Sequence, residues 1–208
     1  MLIYHCLYSY SLNDAICILG AGEQMNDLGY VLGVLLGDGN LNQFGSHYTI
    51  RLKTTDESFA LHFKSSLENI TKKRVFFYHK ERRRIWNQGS KTYDWNYREF
   101  TVDTHCKPWY LILKAMKEKV LNGLIINEDL VFIKALIKGF YDSEGCSNSK
   151  SIRLCNKNRA LLELMQECLR RLNINCSGIY QQRTEHVLYI GSNSEKMKFH
   201  NIVGCKGK

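Results

Sequence analysis

Proline is almost absent: Pro108 stands alone in 208 residues, so no Pro-rich linker divides the chain. No run approaches the ~20 apolar residues that a membrane span needs, which argues against a spanning helix. The eight cysteines, at positions 6, 17, 106, 146, 155, 168, 176 and 205, form no C-x-x-C pair and no Cys/His spacing of a zinc site, so buried free thiols are expected. The apolar N-terminal stretch lacks Lys and Arg and carries Asn13 and Asp14 in its middle, against a secretory leader. The expected location is cytoplasmic, nucleoid-associated in a prokaryote.

What the chain has is apolar mass and positive charge. With 44% hydrophobic residues it can bury a sizeable core, and 29 Lys plus Arg against 20 Asp plus Glu leave a net charge of +9. Such a balance favours a polyanionic partner such as nucleic acid or an anionic membrane, the alternative being a merely soluble basic protein.

Laid on itself, the chain repeats. LGYVLGVLLGDG at 28–39 matches KALIKGFYDSEG at 134–145, and 106 positions separate Asp38 from Glu144. An extended stretch follows each, at 47–55 and 151–156, then a segment of helical periodicity opening on a capping residue, Asp56 or Asn158. Strand patterns follow at 74–80 and 93–103, then at 178–183 and 186–191, with further helices at about 106–119 and about 194–202. The residue pattern thus reads α-β-α-β-β-α in each half, an α+β fold with pseudo-twofold symmetry. The joint is expected near 121–128, where Asn122 and Gly123 break the periodicity.

Small residues recur at Gly29, Gly33 and Gly37, and at the same offset at Ala135, Gly139 and Ser143. Each helix-interior glycine costs ~1 kcal/mol, and close approach of two helices is the reason that fits. Gly39 and Gly145 are expected to end the helices in a left-handed conformation. Just before them Asp38 and Glu144 stand at the negative helix end, a placement disfavoured by roughly 0.3–1 kcal/mol that a divalent cation would relieve.

These two motifs, VLGVLLGDG at 31–39 and IKGFYDSEG at 137–145, together with the repeat behind each, resemble the LAGLIDADG homing endonucleases over about residues 26–202. The likeness is closest in character to single-chain, archaeal intron-encoded members. It implies two pseudo-symmetric α-β-β-α-β-β-α repeats with saddle-shaped antiparallel sheets, the motif helices packing between the halves. Residues 1–25 would be an extension, 26–121 and 128–208 the repeats, and 122–127 the linker.

The resemblance further implies a Mg²⁺-dependent double-strand break in a long, near-asymmetric DNA site, leaving short 3′ overhangs, with Mn²⁺ substituting for Mg²⁺. Asp38 and Glu144 would bind metal, aided by the backbone carbonyls of Gly37 and Ser143. Lys53, Thr54 and Asn156 are the implied catalytic helpers. Close relatives carry a lysine three residues after the second acid where this chain has Ser147, so Lys150 or Lys73 is the candidate substitute.

DNA would be read by His47, Thr49, Arg51 and Lys53, which alternate with Tyr48, Ile50 and Leu52. The run 79–84, with Lys80, Arg82, Arg83 and Arg84, is expected to close a hairpin over phosphates, continued by 88–91. Arg98 is assigned to the groove-facing side of its strand, opposite Tyr93, Trp95 and Tyr97. In the second half Ser149, Ser151, Arg153, Gln181 and Arg183 are the counterparts. The chain would act as a monomer on duplex DNA.

The strings GIY at 178–180 and YIG at 189–191 name another nuclease family, but too few residues follow Gly191 for that family's catalytic arginine and glutamate. The remaining alternatives are an intron RNA maturase or non-cleaving binder of the same fold, and a basic scaffold protein.

Overall fold

The computed structural model describes residues 23–89, 91–122 and 129–205. All of the expected linker but Asn122 and nearly all of the expected N-terminal extension, with Cys6 and Cys17, lie outside the described residues.

The first half runs α1 (Glu23–Leu36), β1 (Asn40–Phe44), β2 (His47–Thr54), α2 (Glu57–Thr71), β3 (Phe76–Gln88), β4 (Lys91–His105) and α3 (Lys107–Leu121). The second repeats the order: α4 (Leu130–Glu144), β5 (Gly145–Ser147), β6 (Ile152–Asn156), α5 (Arg159–Arg171), β7 (Ile179–Gln182), β8 (Glu185–Ile190) and α6 (Asn193–Ile202). The sheets are antiparallel, ordered β1-β2-β4-β3 and β5-β6-β8-β7. The chain therefore has two pseudo-symmetric α-β-β-α-β-β-α halves.

Local chemistry sets several boundaries. The Asp56 carboxylate accepts from the Phe59 amide at 3.0 Å and opens α2, and Asn158 accepts from Ala160 at 3.1 Å and opens α5. β1 and β5 escape the residue pattern because neither buries an apolar face: NLNQF is exposed at all but Leu41, and GCS is three residues long. Each leaves directly from its motif helix and pairs back on β2 or β6.

One face of each sheet is buried, with Ile50, Leu52 and Val102 in the first half and Ile152, Leu154, Leu188 and Ile190 in the second fully enclosed. The helices cover these faces and leave the opposite ones without helices.

The halves meet along α1 and α4, where the small-residue columns interlock. A methyl group at Gly29 would stand 2.6 Å from the Phe132 carbonyl, at Gly33 2.8 Å from the Phe140 amide nitrogen, and at Gly139 2.9 Å from that of Val34. At this separation backbone packs directly on backbone.

Gly39 and Gly145 correct one expectation: neither has positive φ, and Gly145 is extended at φ −90° and ψ 153°. What requires glycine is space. A Cβ at Gly145 would strike the Tyr141 ring, and one at Gly39 would come 2.9 Å from the Leu35 Cα.

Candidate metal and nucleic-acid site

The motif helices converge on their acids. α1 ends at Leu36, and Gly37 and Asp38 turn the chain into β1, the Gly37 and Gly39 amides both donating to the Val34 carbonyl. A Cβ at Gly37 would lie 2.5 Å from the Ser143 Cβ and 2.9 Å from the Glu144 Cγ. The backbone just before Asp38 thus abuts the side chain of Glu144 at the interface between the halves.

Asn156, on β6, is brought to this site: its amide donates to Glu144 Oε1 at 3.0 Å, while its own oxygen accepts from the Asn158 amide at 2.8 Å. Thr54 is not comparable, because its hydroxyl accepts from the Asp56 amide at 3.1 Å and shapes the entry to α2. Ser147 is exposed at the end of β5. Lys150 follows in a turn ordered by Asn148, and Lys73 lies in the loop after α2.

Sequence reasoning missed two cations beside the motif helices. Lys117 on α3 donates to the Leu35 carbonyl at 2.5 Å, at the negative end of α1, and burial pulls its pKa below the ordinary lysine value. Lys138 on α4 holds buried Asp142, its Nζ 2.5 and 2.6 Å from the two carboxylate oxygens. Asp142 Oδ2 also accepts from the Tyr30 hydroxyl of α1 at 2.9 Å. Tyr30 in turn stacks on His62 of α2, ring centroids 3.9 Å apart. The i, i+4 spacing of Lys138 and Asp142 in a largely apolar helix was the available signal.

The donors at the motif ends are oxygens: two carboxylates, with the Gly37 and Ser143 carbonyls adjacent. Among the described residues no cluster of three His, Cys, Asp or Glu side chains forms a self-sufficient metal cage. That set fits Mg²⁺ or Mn²⁺, which take one or two carboxylates and complete their shell with water and phosphate oxygens. The six cysteines among the described residues are free thiols.

The uncovered face of the first sheet carries Thr49, Arg51 and Lys53, as alternation predicts, and His47 at the strand's start. Arg51 pairs with Asp103 at 3.0 Å, Tyr78 donates to the same oxygen at 3.3 Å, and Thr49 meets His105 at 3.2 Å.

The run 79–84 corrects a second expectation. It closes no hairpin but forms the middle of β3, a 13-residue strand paired throughout with β4. β2 pairs with β4 only at 100–105, so residues 80–88 and 91–99 continue as a two-stranded ribbon. Ser90, between the two strands in sequence, lies outside the described residues.

Register assigns the ribbon's faces, because directly paired residues share one. Lys80, Arg82 and Arg84 lie with Tyr97, Trp95 and Tyr93 on the face of Arg51 and Lys53. Arg84 stands over the Trp95 ring at 5.8 Å, and Trp86 stacks on Tyr93 at 5.3 Å. A cleft of about 440 Å³ separates Lys53 and Thr55 from Arg84, Trp95 and Tyr97.

Arg98 is the third correction. It lies on the other face, in line with core residues Phe100 and Val102, and pairs with Glu81 at 2.8 Å. Arg83 shares that face and pairs with Asp94 at 2.5 Å.

In the second sheet Arg153 is on the uncovered face with Tyr180, Gln182 and Tyr189, its Nε donating to Cys146 Sγ at 3.1 Å. Ser151 precedes β6, its amide held by Asn148. Gln181 alternates to the side of Ile179 and Leu188, so Gln182 is the residue that shares a face with Arg153. Arg183 sits in the β7–β8 turn at φ 56°.

A sequence model of the LAGLIDADG-like domain matches residues 132–204. An uncharacterized protein of Methanocaldococcus jannaschii is 33% identical over 158 residues, covering 72% of this chain and 56% of that protein. A second from the same organism is 30% identical over 152 residues, covering 72% and 49%. The chain thus spans about half the length of these two relatives. The homing endonuclease I-DmoI of Desulfurococcus mucosus is 26% identical over 181 residues, 84% of this chain and 86% of that protein.

The crystal structure of I-DmoI in complex with DNA and Mn superposes with a TM-score of 0.61 at 20% identity, covering 88% of this chain and 99% of that one. Full-length DUF199/WhiA from Thermatoga maritima gives 0.59 at 15% identity, covering 90% and 58%. The fold is that of the LAGLIDADG homing endonucleases, in the single-chain form with two motifs.

Proposed function

We propose that this chain is a homing endonuclease that makes a metal-dependent double-strand break in a long, near-asymmetric DNA site and leaves short 3′ overhangs. The observation that carries the reading is the meeting of the two motif helices at the interface where Asp38 follows one and Glu144 ends the other, Gly37 lying against Ser143 and Glu144. Likeness to I-DmoI, solved with DNA and Mn, supports it. Residues 26–121 and 128–208 act as the two repeats of a monomer.

Asp38 and Glu144, with the Gly37 and Ser143 carbonyls, are the residues that would hold Mg²⁺ or Mn²⁺. Bound there, a cation would supply Lewis-acid stabilisation of a leaving oxygen and would lower the pKa of a bound water. Asn156 fixes the orientation of the Glu144 carboxylate. Lys117 offsets the negative end of α1 beside Asp38. Lys53, at the foot of the ribbon, is the candidate phosphate contact in the first half. His47, Thr49, Arg51, Lys80, Arg82 and Arg84 face the duplex with it, and Ser151, Arg153 and Gln182 do so in the second half. Arg83, Arg98 and Gln181 face away.

The alternative is a nucleic-acid binder of the same fold that does not cut, an intron RNA maturase included. The shared fold is compatible with it, because a fold alone does not fix an activity. The readings part in one experiment. Purified protein is incubated with Mg²⁺ and a randomised duplex library, and new ends are sequenced. Paired breaks in an enriched sequence, lost in Asp38→Asn while binding persists, are expected; tight binding without breaks would establish the alternative.

A further inference from the structure

The glycine column holds α1 and α4 close, but small residues offer few knobs to stop one helix sliding along the other. A slide of one residue is a shift of ~1.5 Å. Catalytic groups must hold to ~0.5 Å, and a misplacement of ~1 Å can cost ~100-fold in rate. A site that draws one acid from each half therefore needs a device that sets the helices' register.

The Tyr30–Asp142 hydrogen bond crosses this interface, buried, at 2.9 Å. Both ends are fixed: Tyr30 by its stack on His62, Asp142 by Lys138 one turn back. A buried ionic group is seldom the cheapest way to fill such space, and setting register is the best attested use of one. The 106-residue offset places Leu136 and Leu36 at the positions matching Tyr30 and Asp142, so the symmetry-related place is apolar. Among the described residues the interface carries this link on one side of its pseudo-axis only. Asp142 stands two residues before Glu144 on the same helix, so whatever fixes Asp142 against α1 fixes Glu144 against Asp38.

We propose that Tyr30 and Asp142 are a positioning pair that sets the register of α1 against α4 and thereby the spacing of the two carboxylates, an inference that rests on the metal-dependent nuclease reading. The test compares wild type with Tyr30→Phe, which removes one hydroxyl, and with Phe63→Leu, a core variant matched to it in thermal stability. Mn²⁺ affinity is titrated by electron paramagnetic resonance on the protein alone. Hydrogen exchange is followed in peptides 28–38 and 134–145.

In Tyr30→Phe, Mn²⁺ affinity is expected to fall about fivefold and exchange in both peptides to rise about tenfold, with Phe63→Leu within twofold of wild type on both. Asp142→Asn, which keeps an acceptor for Tyr30 but strands Lys138, should fall between. Unchanged exchange in Tyr30→Phe, or equal effects from Phe63→Leu, would overturn the proposal. A wild type that neither binds Mn²⁺ nor cuts DNA would instead refute the nuclease reading, and exchange would still decide whether the pair sets register.

Discussion

Gly33 and Phe140 stand so close across the interface that a side chain's first carbon at Gly33 would lie 2.8 Å from the Phe140 amide nitrogen, with the Leu136 carbonyl nearer still. The atoms it would meet are backbone, which cannot swing aside.

Gly33→Ala is therefore expected to destabilise the protein. Alanine gains ~1 kcal/mol of helix propensity, but forcing the helices apart costs ~1–3 kcal/mol or more. A net loss of about 2 kcal/mol would lower the melting temperature by ~4–8 °C in a chain of this size. An unchanged midpoint in calorimetry would show that the interface is looser than described.

Asn156→Ala should slow cleavage about 10–100-fold with DNA affinity preserved, since it removes the donor that orients Glu144. Single-turnover rates against binding measured in Ca²⁺ separate the two effects. Parallel losses of rate and binding would move Asn156 from chemistry to folding, where its bond to the Asn158 amide also acts.

The two ribbon faces should behave differently toward salt. Arg82→Ala and Arg84→Ala should each reduce the slope of log K against log salt by about 1, as loss of one phosphate contact requires. Arg83→Ala and Arg98→Ala, on the reverse face, should leave the slope unchanged. Equal slopes for all four variants would contradict the assignment of faces.

Burial pushes the Cys168 thiol up to about 12. The folded protein keeps a proton there that the unfolded chain releases above its ordinary pKa near 9. Stability should accordingly fall as pH rises from about 9 toward 12, and Cys168→Ala should flatten that limb of a urea-midpoint profile. Iodoacetamide should label Cys168 only after unfolding.

Much of this arrangement was readable in the sequence because it repeats. The 106-residue offset paired the small-residue columns and their acids, and 47–53 alternates cleanly enough that its faces came out right. The ribbon did not, for a physical reason: 79–84 is charged on both faces, so no hydrophobic period marks it as strand. Arg98 was misassigned because Tyr93, Trp95 and Tyr97 looked like the inward face, whereas past the edge of β2 the ribbon has no core beneath it. Asp142 went unnoticed because its partner Tyr30 lies 112 residues away.

The two arms are unequal: β3 and β4 pair over 13 residues, β7 and β8 over four. A half-turn about the pseudo-axis exchanges the motif helices but cannot exchange the arms. The molecule has a front and a back along any linear partner, so reversing such a partner end for end would present it with a different fit, even where the central chemistry is nearly the same in both directions.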